Sequence, residues 1–297
     1  MHGCRGELKL KAAFFNNGRR ERFKGFLFFL PWLIGFLGLT LYPIIYSIRI
    51  SLSEVRLVPG KTELKFTGLD FYSYAWNTDT QFRGNIASAV TFICCSVPVI
   101  IVFALIIAVF LNSKFIGRTF LRAVYFLPVI IMSGPAISKL LTGYTVDFSS
   151  NNPEIFTFIN ALPSFISTPA AFILNNLVLI LWFSGVEIII FLAGLQKISP
   201  SLYEAAAIDG AGRWEQFWEI TLPHIAPLAV ICAVYAVVDI SNYSNLDINS
   251  KITSHMFDTS RIYSFSAAMS WIYFAVLMLI LLAVFLLFFF IGKKSAR

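Results

Sequence analysis

The sequence predicts an all-α, polytopic membrane protein with six transmembrane helices. Three observations predict it. Hydrophobic residues make up 58% of the chain and charged residues only 13%, against about 45–50% and 25% in a soluble domain. The apolar residues gather in six successive runs, on the scale of the roughly 20 helical residues that cross a bilayer core. Lys and Arg are dense in every second connection and sparse in the others, as the positive-inside rule requires. The net charge of +7 is therefore read as membrane orientation, and no nucleic acid is expected as a partner.

Residues 1–24 carry Arg5, Lys9, Lys11, Arg19, Arg20, Arg22 and Lys24 and form a cytoplasmic N-terminal segment. A cleavable signal peptide would have a shorter basic region and a shorter apolar core. The run at about 25–50 is therefore expected to stay as the first span, bent at Pro31 or Pro43. A polar loop, 51–85, precedes the second span, about 86–111. A short basic loop with Lys114, Arg118 and Arg122 leads into the third, about 120–141, where Pro128 and Pro135 favour kinks. Residues 143–169 hold no Lys or Arg. The fourth span covers about 170–195 and the fifth about 225–240. A polar loop, 241–264, leads to the sixth, about 265–291, and a tail at 292–297.

The six spans make one domain, 25–291. The N-terminus, the loops at 112–122 and 196–224, and the tail together hold 15 of the 23 Lys and Arg residues. The other three loops hold Arg56, Lys61, Lys65, Arg83, Lys251 and Arg261. Both termini and the 199–223 segment are thus expected in the cytoplasm.

Chemistry-bearing motifs are missing. No G-x-x-x-x-G-K-[ST] loop is present to hold nucleotide phosphates. His2, His224 and His255 have no metal-ligand spacing. Cys94, Cys95 and Cys232 lie in apolar runs and Cys4 in the basic N-terminus, with no spacing that suggests zinc or disulfides. No catalytic residue, metal or enzymatic activity is expected in this chain.

One polar stretch, Ser199–Pro223, stands between two apolar runs and concentrates Glu204, Asp209, Glu215 and Glu219 against Arg213. It reads as two short helices around a glycine bend. Ser201 and Glu204 have capping-box spacing, and Ser199–Pro200 offers a second start. Ala205, Ala206 and Ala207 favour helix, and Gly210 suits a left-handed helix end. Trp214, Phe217 and Trp218 form one face of the second helix, expected to anchor the segment to its own membrane domain. By these residues alone the stretch is either an amphipathic loop on the membrane surface or a docking knob for another protein.

The pattern Glu204, Ala205, Ala206, Gly210, Ile220, Leu222, Pro223 resembles the EAA loop of permease subunits of binding-protein-dependent ABC importers. The fuller segment LAGLQKISPSLYEAAAIDGAGRWEQFWEITLPHIAP is similar to the carbohydrate-uptake class, of the maltose and glycerol-3-phosphate type, and to its larger subunit. RTFLRAVYFLP, the Phe66–Tyr72 segment, and Trp182 with Gly185 resemble further family patterns. The loop Asn245–Lys251 departs from the family, which often has T-x-G-G-P there.

The resemblance implies a cytoplasmic EAA coupling helix, with Glu204, Ala205, Ala206, Asp209, Gly210, Ile220, Leu222 and Pro223 engaging an ATPase. It implies a bacterial plasma (inner) membrane location. The implied partners are a second six-span permease, two ATPase subunits that carry ATP and Mg, an extracytoplasmic solute-binding protein and membrane lipid. Sugar or oligosaccharide import by alternating access follows from the same resemblance.

For the cargo route, Glu187 is the one acid deep in a predicted span, where a charge is costly. It could accept hydrogen bonds from cargo hydroxyls, balance a cation, or pair with another helix. Trp182 could stack on a sugar ring or serve as a core aromatic. Asn176, Tyr235, Asp239 and Asn242 supply further polar groups. Two rivals stay open: the same importer type with a polyamine or amino-acid derivative as cargo, and an ion-driven secondary transporter.

Overall fold

The computed structural model describes residues 24–58, 61–113, 116–117, 120–121, 163–244, 246–256 and 263–295, with isolated positions between 154 and 161. The predicted third span falls outside them except for its first two residues, as does nearly all of the basic N-terminus. Among the described residues, four helices are long and apolar enough to cross a membrane, or up to six if each of two bent pairs is one span. The chain divides into two compact units, Met1–Ser73 with His255–Trp271, and Tyr74–Ser254 with Ile272–Arg297.

In the first unit, α1 (Lys24–Ser51) contains a π-helical turn, Phe36–Leu41, immediately before Tyr42-Pro43. The sequence suggests a bend at a proline; the helix instead widens ahead of it. A proline ring crowds the carbonyl four residues back, and here the Tyr42 amide reaches back five residues, to Leu37 O. Most of α1 is exposed apolar side chain, including Phe28, Trp32 and Leu39.

The polar loop expected after α1 folds in part as an antiparallel hairpin, β1 (Ser53–Val58) and β2 (Lys61–Phe66), with register from Ser53↔Phe66 to Val58↔Lys61. The all-α expectation misses it. The signal was there: Glu54 and Arg56 alternate with Val55 and Leu57, the period of a two-faced strand. Its base is closed by the Thr67 and Gly68 amides, which donate to Leu52 O at 3.0 and 3.1 Å. Buried Ser51 donates to Ile48 O and pairs with the Tyr72 hydroxyl at 2.7 Å. The Val55 amide donates to Ser264 Oγ, and Trp271 Nε1 to Ser47 Oγ. A short helix, α2 (Asp70–Asn77), follows the hairpin.

The second unit is built on α3 (Thr80–Asn112). Asp79 caps it by accepting from the Phe82 amide at 2.9 Å. The predicted fourth span is not one continuous helix. It comprises α4 (Ser164–Asn175), α5 (Leu177–Phe183) and α6 (Gly185–Leu195), with a 68° bend between Ile166–Asn175 and Leu177–Phe183. At the breaks, Asn176 Nδ2 donates to Phe172 O and Ser184 Oγ to Leu181 O, each at 2.9 Å. Both side chains compete for backbone carbonyls, which helix interiors tolerate poorly.

Beyond these come α7 (Pro200–Ile208) and α8 (Arg213–Ser241). α8 starts well before the predicted fifth span. A second π turn, Phe217–Thr221, again stands directly before an X-Pro step, Leu222-Pro223, and the Leu222 amide again reaches back five residues. The predicted 241–264 loop contains α9 (Asp247–Met256). Asn249 Nδ2 ties it to Ser241 O and Tyr243 O, and Lys251 Nζ reaches Asp79 Oδ1 at 2.7 Å. α10 (Ser264–Ser295) closes the chain.

The core of the second unit lies where α3 meets α6 and α8. Ala104, Ala108 and Leu111 of α3 pack with Ile188, Phe191, Leu192 and Leu195 of α6 and with Ile225 and Cys232 of α8. Further along, Ile93, Val97 and Ile100 pack with Phe183 of α5 and Ala233, Ala236, Val237 and Ile240 of α8. Small side chains at these crossings let the backbones approach, which is where helices in lipid gain their contact energy.

Asp79 has two jobs, capping α3 and pairing with Lys251, and both side chains are largely shielded from solvent. Asp79→Ala should cost about 2 kcal/mol or more, from a lost cap plus an unpaired, partly buried ammonium. Lys251→Met should cost less, because the cap survives. Thermal unfolding of both variants in detergent checks the order; equal losses would mean the cap contributes nothing.

Candidate functional site

The first candidate is the connection from α7 into α8. Proline at the first helical position starts α7, with Ser199 as N-cap. The Ser201–Glu204 capping box does not form; Ser201 Oγ pairs with Ser199 Oγ at 2.7 Å instead. Of the two starts open in the sequence, the chain uses Ser199–Pro200 rather than the capping box. No residue of α7 is buried. Glu204 and Ala205 are exposed, Ala206 half-buried, and Ile208 stands 86% exposed at the end.

Gly210 then takes φ 87°, in the left-handed region. The Ala211 amide returns to Ala206 O at 2.9 Å and closes the helix end. Asp209, Gly212 and Pro223 are exposed, while Ile220 and Leu222 are half-buried. One half of a capping box forms one helix later: Glu215 Oε2 accepts from the Gly212 amide at 2.7 Å.

What fastens this bend to the helices is not the aromatic face the sequence suggests. Trp214 is 71% exposed and Trp218 49%, and with Phe217 they stack mainly on each other. The fastening comes from Tyr203, whose hydroxyl pairs with Thr221 Oγ1 at 2.9 Å. Tyr203 and Ile220 also pack on the α3–α6–α8 core. Gln216 Nε2 donates to Ala211 O and ties the bend to the start of α8. A lone tyrosine in an apolar helix gives little warning of this role. A polar turn of exposed small side chains is thereby held on a rigid base, with its outer surface uncovered.

The second candidate lies in the spans. Tyr235 and Asp239 of α8, and Asn242 at its C-cap, recur at helical spacing. Tyr235 and Asn242 are exposed and Asp239 half-buried. Glu187 of α6 is fully buried and stands within electrostatic reach of Asp239, Tyr235 and Cys232. Neither of its carboxylate oxygens has a hydrogen-bond partner among the described residues.

The other two candidates sit differently. Trp182 packs against the apolar core of α3, α5 and α8. Asn176 marks the break between α4 and α5 and spends its amide on Phe172 O. The constellation brought together is therefore Glu187 with Tyr235 and Asp239, continued by Asn242. Sequence reasoning passed over Ser96 of α3, buried at 1% with its hydroxyl unpartnered among the described residues; a hydroxyl amid long apolar residues was the available signal.

Residues 80–294 match the family model described as the inner membrane component of binding-protein-dependent transport systems. The chain is 31% identical to the probable ABC transporter permease YesP of Bacillus subtilis over 71% of its length and 67% of that protein's. It is 32% identical to the arabinooligosaccharides transport permease AraP of the same organism, over 72% and 67% of the two chains. It is 30% identical to the trehalose/maltose transport permease MalF of Thermococcus litoralis, over 74% of each. A chain of a bacterial ABC transporter that imports the acidic polysaccharide alginate has the same fold, with TM-score 0.67, 20% identity, and 93% and 98% of the two chains covered. The chain is thus a multi-pass membrane permease, a member of the inner-membrane component family of binding-protein-dependent transport systems.

Proposed function

We propose that the chain is one of two six-span permeases in an ATP-driven importer that moves a sugar or oligosaccharide inward by alternating access. The observation that carries the reading is the α7–Gly210 bend: a polar, uncovered knob on a rigid base in a chain of the transport-permease family. Such a knob suits a cleft in a cytoplasmic ATPase. The exposed face of Glu204, Ala205 and Asp209 would be read by the partner, Gly210 would set the turn, and Ile220, Leu222 and Pro223 would join it to α8.

Two ATPase subunits supply ATP hydrolysis with Mg, a second permease completes the pathway, and an external solute-binding protein delivers cargo. The Lys and Arg distribution favours both termini and α7 in the cytoplasm. Copurification from native membrane with mass spectrometry of the associated subunits tests the assembly. An ATPase and a second permease are expected; a chain that repeatedly emerges alone and intact would sink the reading.

The names of AraP, MalF and the lactose permease LacF of Rhizobium radiobacter favour a carbohydrate cargo. The route we assign runs along Tyr235, Asp239 and Asn242, with Glu187 behind it and Asn176 and Trp182 at the α4–α5 end. A polar stripe on a membrane-spanning helix is expensive against lipid, so it faces water or protein. Two acids on this route disfavour an acidic polysaccharide. They keep one second reading in view, a cationic cargo such as a polyamine.

Two outcomes follow. Gly210→Val should insert normally yet lower uptake at least tenfold, because a β-branched residue resists φ 87°; vesicle uptake alongside ATPase rate reads it, and wild-type uptake would argue against coupling through this bend. Glu187→Gln keeps shape and removes the ionisable group. For a neutral sugar, uptake should change only a few-fold; for a cationic cargo it should fall by orders of magnitude. Competition across a cargo panel separates the two.

A further inference from the structure

We propose that the groove between α6 and the start of α8 binds an acidic phospholipid. The groove has a volume of about 450 Å³. One end is apolar, lined by Ile190, Ala193 and Leu228, and the other carries Lys197 and His224. Ile190 and Ala193 of α6 lead to Lys197 in the turn just past its end, an apolar-to-cationic order that suits a lipid standing along the helix.

The shape has a local cause. Gly194 lies in the floor, and a Cβ there would overlap Leu228 Cδ1. Glycine thus lets α8 lie close while leaving a furrow above, and Pro227 on the rim adds no amide for a water to occupy. The cationic end is free to take an anion. Lys197 is exposed and forms no salt bridge with the described residues. His224 is exposed with Nδ1 against Ile220 O at 2.6 Å. That contact orients the ring and leaves Nε2 uncommitted beside Lys197.

Charge complementarity selects the occupant. Lys197 follows directly on the apolar span, where ammonium groups meet lipid headgroups. A basic pocket between transmembrane helices on the cytoplasmic side suits anionic headgroups, each basic group adding about a factor of five in affinity. A zwitterionic lipid would fill the apolar part but bring a positive choline to Lys197. The inference is independent of cargo and of ATP coupling; it rests on the membrane orientation proposed above.

The test is native mass spectrometry of the purified, delipidated complex titrated with phosphatidylglycerol and with phosphatidylcholine of the same acyl chains. We expect about tenfold tighter retention of phosphatidylglycerol. Lys197→Gln with His224→Gln should bring the two lipids within twofold of each other. Ala193→Phe, which fills the furrow, should weaken both. Equal retention of the two lipids by the unaltered complex would overturn the proposal, as would an undiminished preference in the double variant. Quantitative cross-linking of Ala193→Cys to a second permease chain would overturn it too, by giving the groove to protein.

Discussion

The rest of the structure depends on the close crossing of α3 with α6 and α8. In lipid there is no hydrophobic drive between helices, because acyl chains are as apolar as leucine. Association must come from contact, and contact from side chains small enough to let backbones approach. Ala104, Ala108, Ala233 and Ala236 provide it, all essentially inaccessible. Everything of functional interest hangs from this crossing: the α7 bend through Tyr203 and Ile220, the polar stripe on α8, and Glu187 on α6.

The rigid crossing and the exposed elements divide the labour. The knob at α7 and Gly210 keeps few tertiary contacts of its own and is braced from beneath by the Tyr203–Thr221 pair. A push on it passes to α8 through Thr221 and Gln216. α8 also carries Tyr235 and Asp239 and ends against Asn242. Force applied at one end of α8 and polar groups presented towards the other thus share a single covalent rod.

Legibility in the sequence followed the length scale of the signal. Membrane character came from composition, and the α7 bend from alanines, a glycine and spacing, all local. The hairpin at 53–66 was legible in its alternation but was masked by the expectation that loops of an all-α protein are loops. The breaks at Asn176 and Ser184 were not legible from hydropathy. They rest on which carbonyl a short polar side chain reaches, and an averaged apolar run hides that. The anchoring of the knob was misread for a similar reason. Trp214 and Trp218 look like anchors by type, yet a tyrosine eleven residues before the first of them holds the bend, through a partner 18 positions away in sequence. The grouping of polar residues in the spans was only half visible, because Asp239 comes within electrostatic reach of Glu187 through helix packing.

The two π turns share a design. Each sits directly before an X-Pro step, and each lets an amide reach back five residues. A π turn accommodates one residue more than regular helix would over the same rise. That residue resets the angular phase of all that follows by about 100°. A helical wheel drawn straight through α8 therefore misplaces the aromatic patch relative to the polar stripe by that angle. Tightening the turn back to regular α geometry would swing the stripe around the helix axis by about that angle.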